Sequence, residues 1–137
     1  MNPEFADTNL FLRYLTNDVP AQADAVERLF RRAARGEQAL ITTPLVIAEM
    51  VWTLESFYAL PKDEIKEAVL GILNTPGIKV EESGLVLQAA VWYEEKNVDF
   101  IDAYHAAWMR ARSIDVAHTF DSRPFNRFEH VTTEVPA

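Results

Sequence analysis

The chain has 137 residues, 49% hydrophobic and 25% charged, which fits one domain spanning 1–137 with a core of useful size. It has no cysteine, so disulfides and thiolate chemistry are excluded and a reducing cytoplasm is the natural compartment. Thirteen Lys and Arg against 21 Asp and Glu leave a net charge of −8, which disfavours broad phosphate binding and favours a basic partner. No run of about 18 apolar residues occurs and no basic, apolar leader opens the chain, so neither membrane insertion nor secretion is expected.

The elements read as strands alternating with helices. A short strand at 4–7 precedes a helix over about 9–15. Pro20 opens a second helix that Gly36 stops, with Ala23, Val26, Leu29, Phe30 and Ala33 at helical spacing. Residues 39–42 form a buried strand, and Thr43-Pro44 is an N-cap followed by a first helical residue, opening a helix to about Tyr58. A helix over 62–73 carries Asp63 and Glu64 in its first turn, where they complement the helix dipole. After the turn Asn74-Thr75-Pro76-Gly77 come a strand at 78–80 and a helix from Ser83 to about Lys96. Asp99 is positioned to cap a helix over 100–112; strands at 116–120 and 131–132 complete the order. This alternation predicts a three-layer α/β/α fold around a mainly parallel sheet of four to five short strands. Such sheets place their sites at the carboxyl ends of the strands.

Four acids interrupt apolar sequence: Asp7, Glu49, Asp102 and Asp121. Each has a local reading. Asp7 would cap the first helix, Asp99 and Asp102 have capping-box-like spacing, Asp121 opens a turn before Ser122-Arg123-Pro124, and Glu49 would form an isolated ion pair. We assign Asp99 to capping and keep Asp102 for a site. The run Leu45-Val46-Ile47-Ala48-Glu49-Met50-Val51-Trp52 leaves little room for a solvated Glu49, so half-burial is expected.

Two carboxylates about 4 Å apart repel by about 4 kcal/mol at an effective dielectric of roughly 20. Acids gathered at one rim therefore need a cation, and all-oxygen ligation suits Mg²⁺ or Mn²⁺. Metal-assisted phosphodiester hydrolysis is the chemistry that such a set supports. Zinc is disfavoured, since His105, His118 and His130 have no zinc-like spacing. His105 follows Asp102 by three and is read as structural or as a group behind the acids. Trp52, Phe57, Tyr58, Trp92, Tyr93 and Trp108 sit at helical positions and are read as core.

These motifs resemble the PIN-domain family. Asp7-Thr8-Asn9-Leu10-Phe11 is similar to its opening motif, and Glu49 in Ile47-Ala48-Glu49-Met50-Val51-Trp52 to its second. Phe100-Ile101-Asp102-Ala103-Tyr104-His105-Ala106-Ala107 resembles the third, and Thr119-Phe120-Asp121-Ser122-Arg123-Pro124-Phe125 the closing one. The likeness covers nearly the whole chain, and its size points to the VapC branch. That resemblance implies a Mg²⁺- or Mn²⁺-dependent ribonuclease, a toxin that cuts tRNA or rRNA and stops translation. It also implies a homodimer and a small VapB antitoxin that blocks the site with a basic side chain. Asp7, Glu49, Asp102 and Asp121 would be the catalytic, metal-binding acids, with Thr8, Asn9, His105 and Asn126 behind them. Some members carry a further acid where Asn126 stands here, so a tightly held second metal is not implied. Attack by water needs no 2′-OH and leaves a 5′-phosphate and a 3′-OH.

Rival readings are a non-catalytic metal-binding or interaction module and an aspartate-based phosphoryl-transfer domain. The second would want an Asp where Asn9 stands. A receiver domain would want a lysine late in the chain, and none follows Lys96.

Overall fold

The computed structural model describes residues 1–137 and is α/β, with six helices and five short strands, all paired in parallel. The chain resolves into two compact units, Met1–Ser83 and Gly84–Ala137.

In the first unit, β1 (Glu4–Phe5), β2 (Leu40–Thr42) and β3 (Ile78–Val80) form one sheet in the order β1-β2-β3. Helices α1 (Thr8–Thr16) and α2 (Pro20–Ala34) cross from β1 to β2, and α3 (Pro44–Ser56) and α4 (Lys62–Leu73) from β2 to β3. Parallel pairing requires such crossovers. Register pairs Phe5 with Ile41 and Thr42 with Val80, which sets the carboxyl ends of the strands side by side. Phe11, Ile47, Met50, Leu54, Ile65 and Val69 are fully buried, and Phe11 meets Phe30 at 5.8 Å between ring centroids. Gly77 takes φ +85° where β3 begins, against the carbonyl of Ala33 at the end of α2.

The second unit holds α5 (Ser83–Glu95, whose first residue lies at the unit boundary) and α6 (Phe100–Ala111), then β4 (Val116–His118) and β5 (Thr132–Glu134). Tyr93 and Phe100 meet edge to face at 6.2 Å. Trp92 packs on Phe128 at 5.1 Å, and a ring nitrogen of His130 bonds to the carbonyl oxygen of Ala106 at 2.9 Å. A single 3-10 turn at Arg123–Phe125 follows β4 and packs on α6.

All expected strands and helices form within a few residues of their anticipated ends. The solvent exposure of several side chains differs. Glu49 is exposed rather than half-buried, and Asp7 is exposed too; Asp102 and Asp121 are intermediate. Trp52, Phe57 and Trp108 are exposed, not core. For Glu49 and Trp52 the reason lies in α3, whose apolar residues surround the helix, so the sequence does not mark which side faces out. Val46, Ile47, Met50, Val51 and Leu54 face inward, leaving Leu45, Glu49 and Trp52 on the outer face.

Candidate active site

The first acidic cleft lies at the carboxyl end of the three-stranded sheet. It is about 520 Å³ and is lined by Asp7, Thr8, Asn9, Leu12, Glu49, Trp52 and Thr53. Asp7 leaves β1 in an extended conformation and becomes the N-cap of α1; its Oδ1 accepts the Thr8 N–H at 2.8 Å. The capping role is thus real, and it holds the carboxylate at the positive end of a helix, where anions are stabilised. Thr42, fully buried at the end of β2, donates its hydroxyl to the carbonyl of Ala6 at 2.8 Å. That bond fixes the backbone immediately before Asp7, a support that the strand pattern alone did not reveal.

Glu49 reaches the same cleft from the second turn of α3, and no salt bridge engages it. An isolated structural ion pair is therefore not its role. Thr8 is 4% exposed, and its hydroxyl has no hydrogen-bond partner. No Lys or Arg lines the cleft.

The second acidic cleft lies in the second unit, lined by Asn97, Val98, Asp99, Asp102, Asp121, Arg123, Pro124 and Arg127. Asp102 sits in the first turn of α6. Burial pushes its carboxyl above the ordinary carboxylate range, as do the negative charges of Asp99 and Asp121, while His105 pulls the other way. His105 is exposed and so is not a buried structural group. Asp99 occupies the N-cap position, but its side chain makes no capping bond; only its carbonyl accepts, from Ala103 N–H at 2.9 Å. The capping assignment for Asp99 is corrected accordingly: it remains an acid in the cleft.

Asp121 follows β4 and turns the chain as expected, accepting the Arg123 N–H at 3.1 Å. Arg123 also grips both carboxylate oxygens, at 2.8 and 2.7 Å, and this hydrogen-bonded pairing pulls the Asp121 carboxyl down to about 2. Asn126 ends the 3-10 turn and does not line the cleft.

Carboxylate oxygens in both clefts are the donors that a hard divalent ion prefers. In the first cleft no protein cation competes for them; in the second, Asp102 is destabilised as an anion, so a cation would relieve it. No group of three or more His, Asp or Glu forms a ready-made cage. Mg²⁺ does not need one, because it keeps several waters and commonly takes one or two carboxylates.

The sequence model of the PIN domain family matches residues 5–131. The chain belongs to the PIN domain family. This PIN domain is also similar to the VapC ribonuclease of Aquifex aeolicus (strain VF5), at 25% identity over 117 residues, covering 85% of this chain and 86% of that protein. No helix of the PIN domain is long and apolar enough to cross a membrane.

Proposed function

We propose that this PIN domain is a metal-dependent endoribonuclease of VapC type, the toxin half of a toxin–antitoxin pair, and that residues 1–137 function as one domain. The observation that supports this best is the cleft Asp7 shares with Glu49, at strand ends and free of basic side chains. The likeness to a VapC ribonuclease supports the choice of RNA as substrate.

In this reading Mg²⁺ or Mn²⁺ is held by acids of the clefts, Asp7 and Glu49 in the first and Asp102 and Asp121 in the second. Bound there, the ion would supply charge neutralisation at a phosphoryl oxygen and a more acidic water. The chain's own residues do the positioning. Thr8 N–H fixes Oδ1 of Asp7, and Thr42 fixes the backbone that carries it. Asn9, on the first turn of α1, offers an amide to substrate from the same cleft wall. Hydrolysis leaves a 5′-phosphate and a 3′-OH, and a 2′,3′-cyclic phosphate would contradict the route.

The partners in this proposal are tRNA or rRNA, a VapB-type antitoxin with a basic blocking side chain, and a second copy in a homodimer, all in the cytoplasm. The net charge of −8 favours the basic antitoxin. Expression with and without the product of the neighbouring gene, with mapping of new RNA 5′ ends, tests it. Growth arrest and new ends relieved by that product support the toxin reading; neither arrest nor new ends rejects it.

A further inference from the structure

We propose that Trp52 is a base-stacking platform, and that the cleft of Asp7 and Glu49 takes an unpaired RNA base against the indole face. This rests on the ribonuclease reading above and adds to it the residue that holds the substrate's base.

Trp52 is 67% exposed, whereas Trp92 is 8% exposed and packed on Phe128. Leaving so large an apolar side chain in water forgoes a sizeable burial gain. Trp52 lies three residues after Glu49 on the same face of α3, so indole and carboxylate are neighbours on the helix surface. Both line the cleft with Asp7 and Asn9. Phe57 packs edge-on against Tyr58 at 4.9 Å, and the Arg112 guanidinium lies 4.4 Å from the Trp108 ring centroid. Phe5 and Phe120 are exposed as well, but neither lines the cleft of Asp7 and Glu49. No ring or cation covers Trp52.

Charge then decides what the indole is for. A polyanion entering this cleft meets two carboxylates and no Lys or Arg. No cation of the cleft wall attracts it, and Arg13, which lines the adjoining pocket with Asp7 and Asn9, is paired with Asp18, so neutral contacts carry the affinity inside the cleft beyond that of a bound cation. Stacking is such a contact, since every base has a π face and the interaction needs no charge. The Asn9 amide supplies a donor and an acceptor for a base edge. The occupant is therefore a base in a single-stranded loop or end, because a paired base is not available to an indole.

The test compares the full-length protein with Trp52→Leu and Trp52→Tyr, both at an exposed position that leaves the core intact. The probes are a short adenylate oligomer and a ribose-phosphate oligomer of equal length without bases, bound in Ca²⁺. The Leu variant should bind the adenylate oligomer about tenfold more weakly, and the Tyr variant should stay within about threefold of the parent. Binding of the baseless oligomer should be unchanged in both. In cleavage assays with Mn²⁺ the Leu variant should raise KM more than it lowers kcat, as lost substrate binding does. Unchanged adenylate binding by Trp52→Leu, or equal losses with and without bases, overturns the proposal and would leave Trp52 to a protein partner. If the parent cleaves RNA while Trp52→Leu behaves identically, only the stacking role fails. A parent that neither binds nor cleaves RNA removes the ribonuclease reading together with this one.

Discussion

Arg123 holds Asp121 by both carboxylate oxygens, Nε at 2.8 Å from Oδ1 and Nη2 at 2.7 Å from Oδ2. The pair is exposed, and in the absence of metal the guanidinium serves as the counter-ion for this acid. Bidentate geometry makes it a better partner than most surface pairs.

Arg123→Gln should let the Asp121 carboxyl titrate near 3.8 instead of about 2, read by its NMR chemical shift against pH. The sign follows from linkage. A depressed folded pKa adds stability above the unfolded value, and that stability is lost as pH falls from 3.8 through about 2. The same change removes a competitor for the carboxylate, so Mn²⁺ affinity measured by calorimetry should rise a few-fold, at most roughly fivefold for an exposed pair. Weaker Mn²⁺ binding would mean that Arg123 orients Asp121 for metal.

Asp102 carries the opposite shift. Burial and the neighbouring acids raise its folded pKa above 3.8, so its contribution to stability is intact below that pH and is lost as pH rises through the folded value. At neutral pH the ionised group costs stability. Asp102→Asn should raise the Tm of the metal-free protein by about a degree or two while abolishing cleavage. Added Mn²⁺ should raise the parent's Tm and move the variant's less, since ligand that binds only the folded state stabilises it. A variant of lower Tm would contradict this account of Asp102.

Thr42→Val keeps the shape of the side chain and deletes its bond to Ala6. The fully buried acceptor is left without that donor, a loss of about 1–3 kcal/mol in denaturant unfolding. The backbone before Asp7 loosens, so cleavage should slow roughly tenfold. A stability loss with no change in rate would make Thr42 purely structural.

Gly77 and Gly36 both take positive φ, +85° and +76°. A Cβ at Gly77 would lie 2.1 Å from the backbone oxygen of Ala33, whereas one at Gly36 meets nothing within 4 Å. Gly77→Ala should therefore cost roughly 2–4 kcal/mol in chemical unfolding, through strain and clash together. Gly36→Ala should cost about 1 kcal/mol, through strain alone. Equal losses would show that the Ala33 contact yields freely.

The fold was largely legible in the sequence because its punctuation is local. Thr43-Pro44 opens α3, and Asp63 with Glu64 marks the first turn of α4. Side-chain exposure was less legible. Helix α3 carries apolar residues on every side, so periodicity could not show that Leu45, at 81% exposed, and Glu49 face out. Asp99 has the capping position without the capping bond, because residue type and spacing do not fix a side-chain rotamer. The Thr42 bond joins residues 36 apart in sequence, and no local pattern announces it. The grip of Arg123 on Asp121 spans only two residues, but a turn motif alone does not distinguish a solvated arginine from a clamped one.

The central proposal is that this PIN domain hydrolyses RNA with a metal ion and needs its acids to do so. Single-turnover cleavage by Asp7→Asn, Asp102→Asn and the double variant, with Mn²⁺ and then with excess EDTA, tests it most directly. Each single change should slow cleavage by about 100-fold or more, and the double variant should be at least as slow. EDTA should stop the parent. Parent-like cleavage by Asp7→Asn, or cleavage that survives EDTA, would contradict the account.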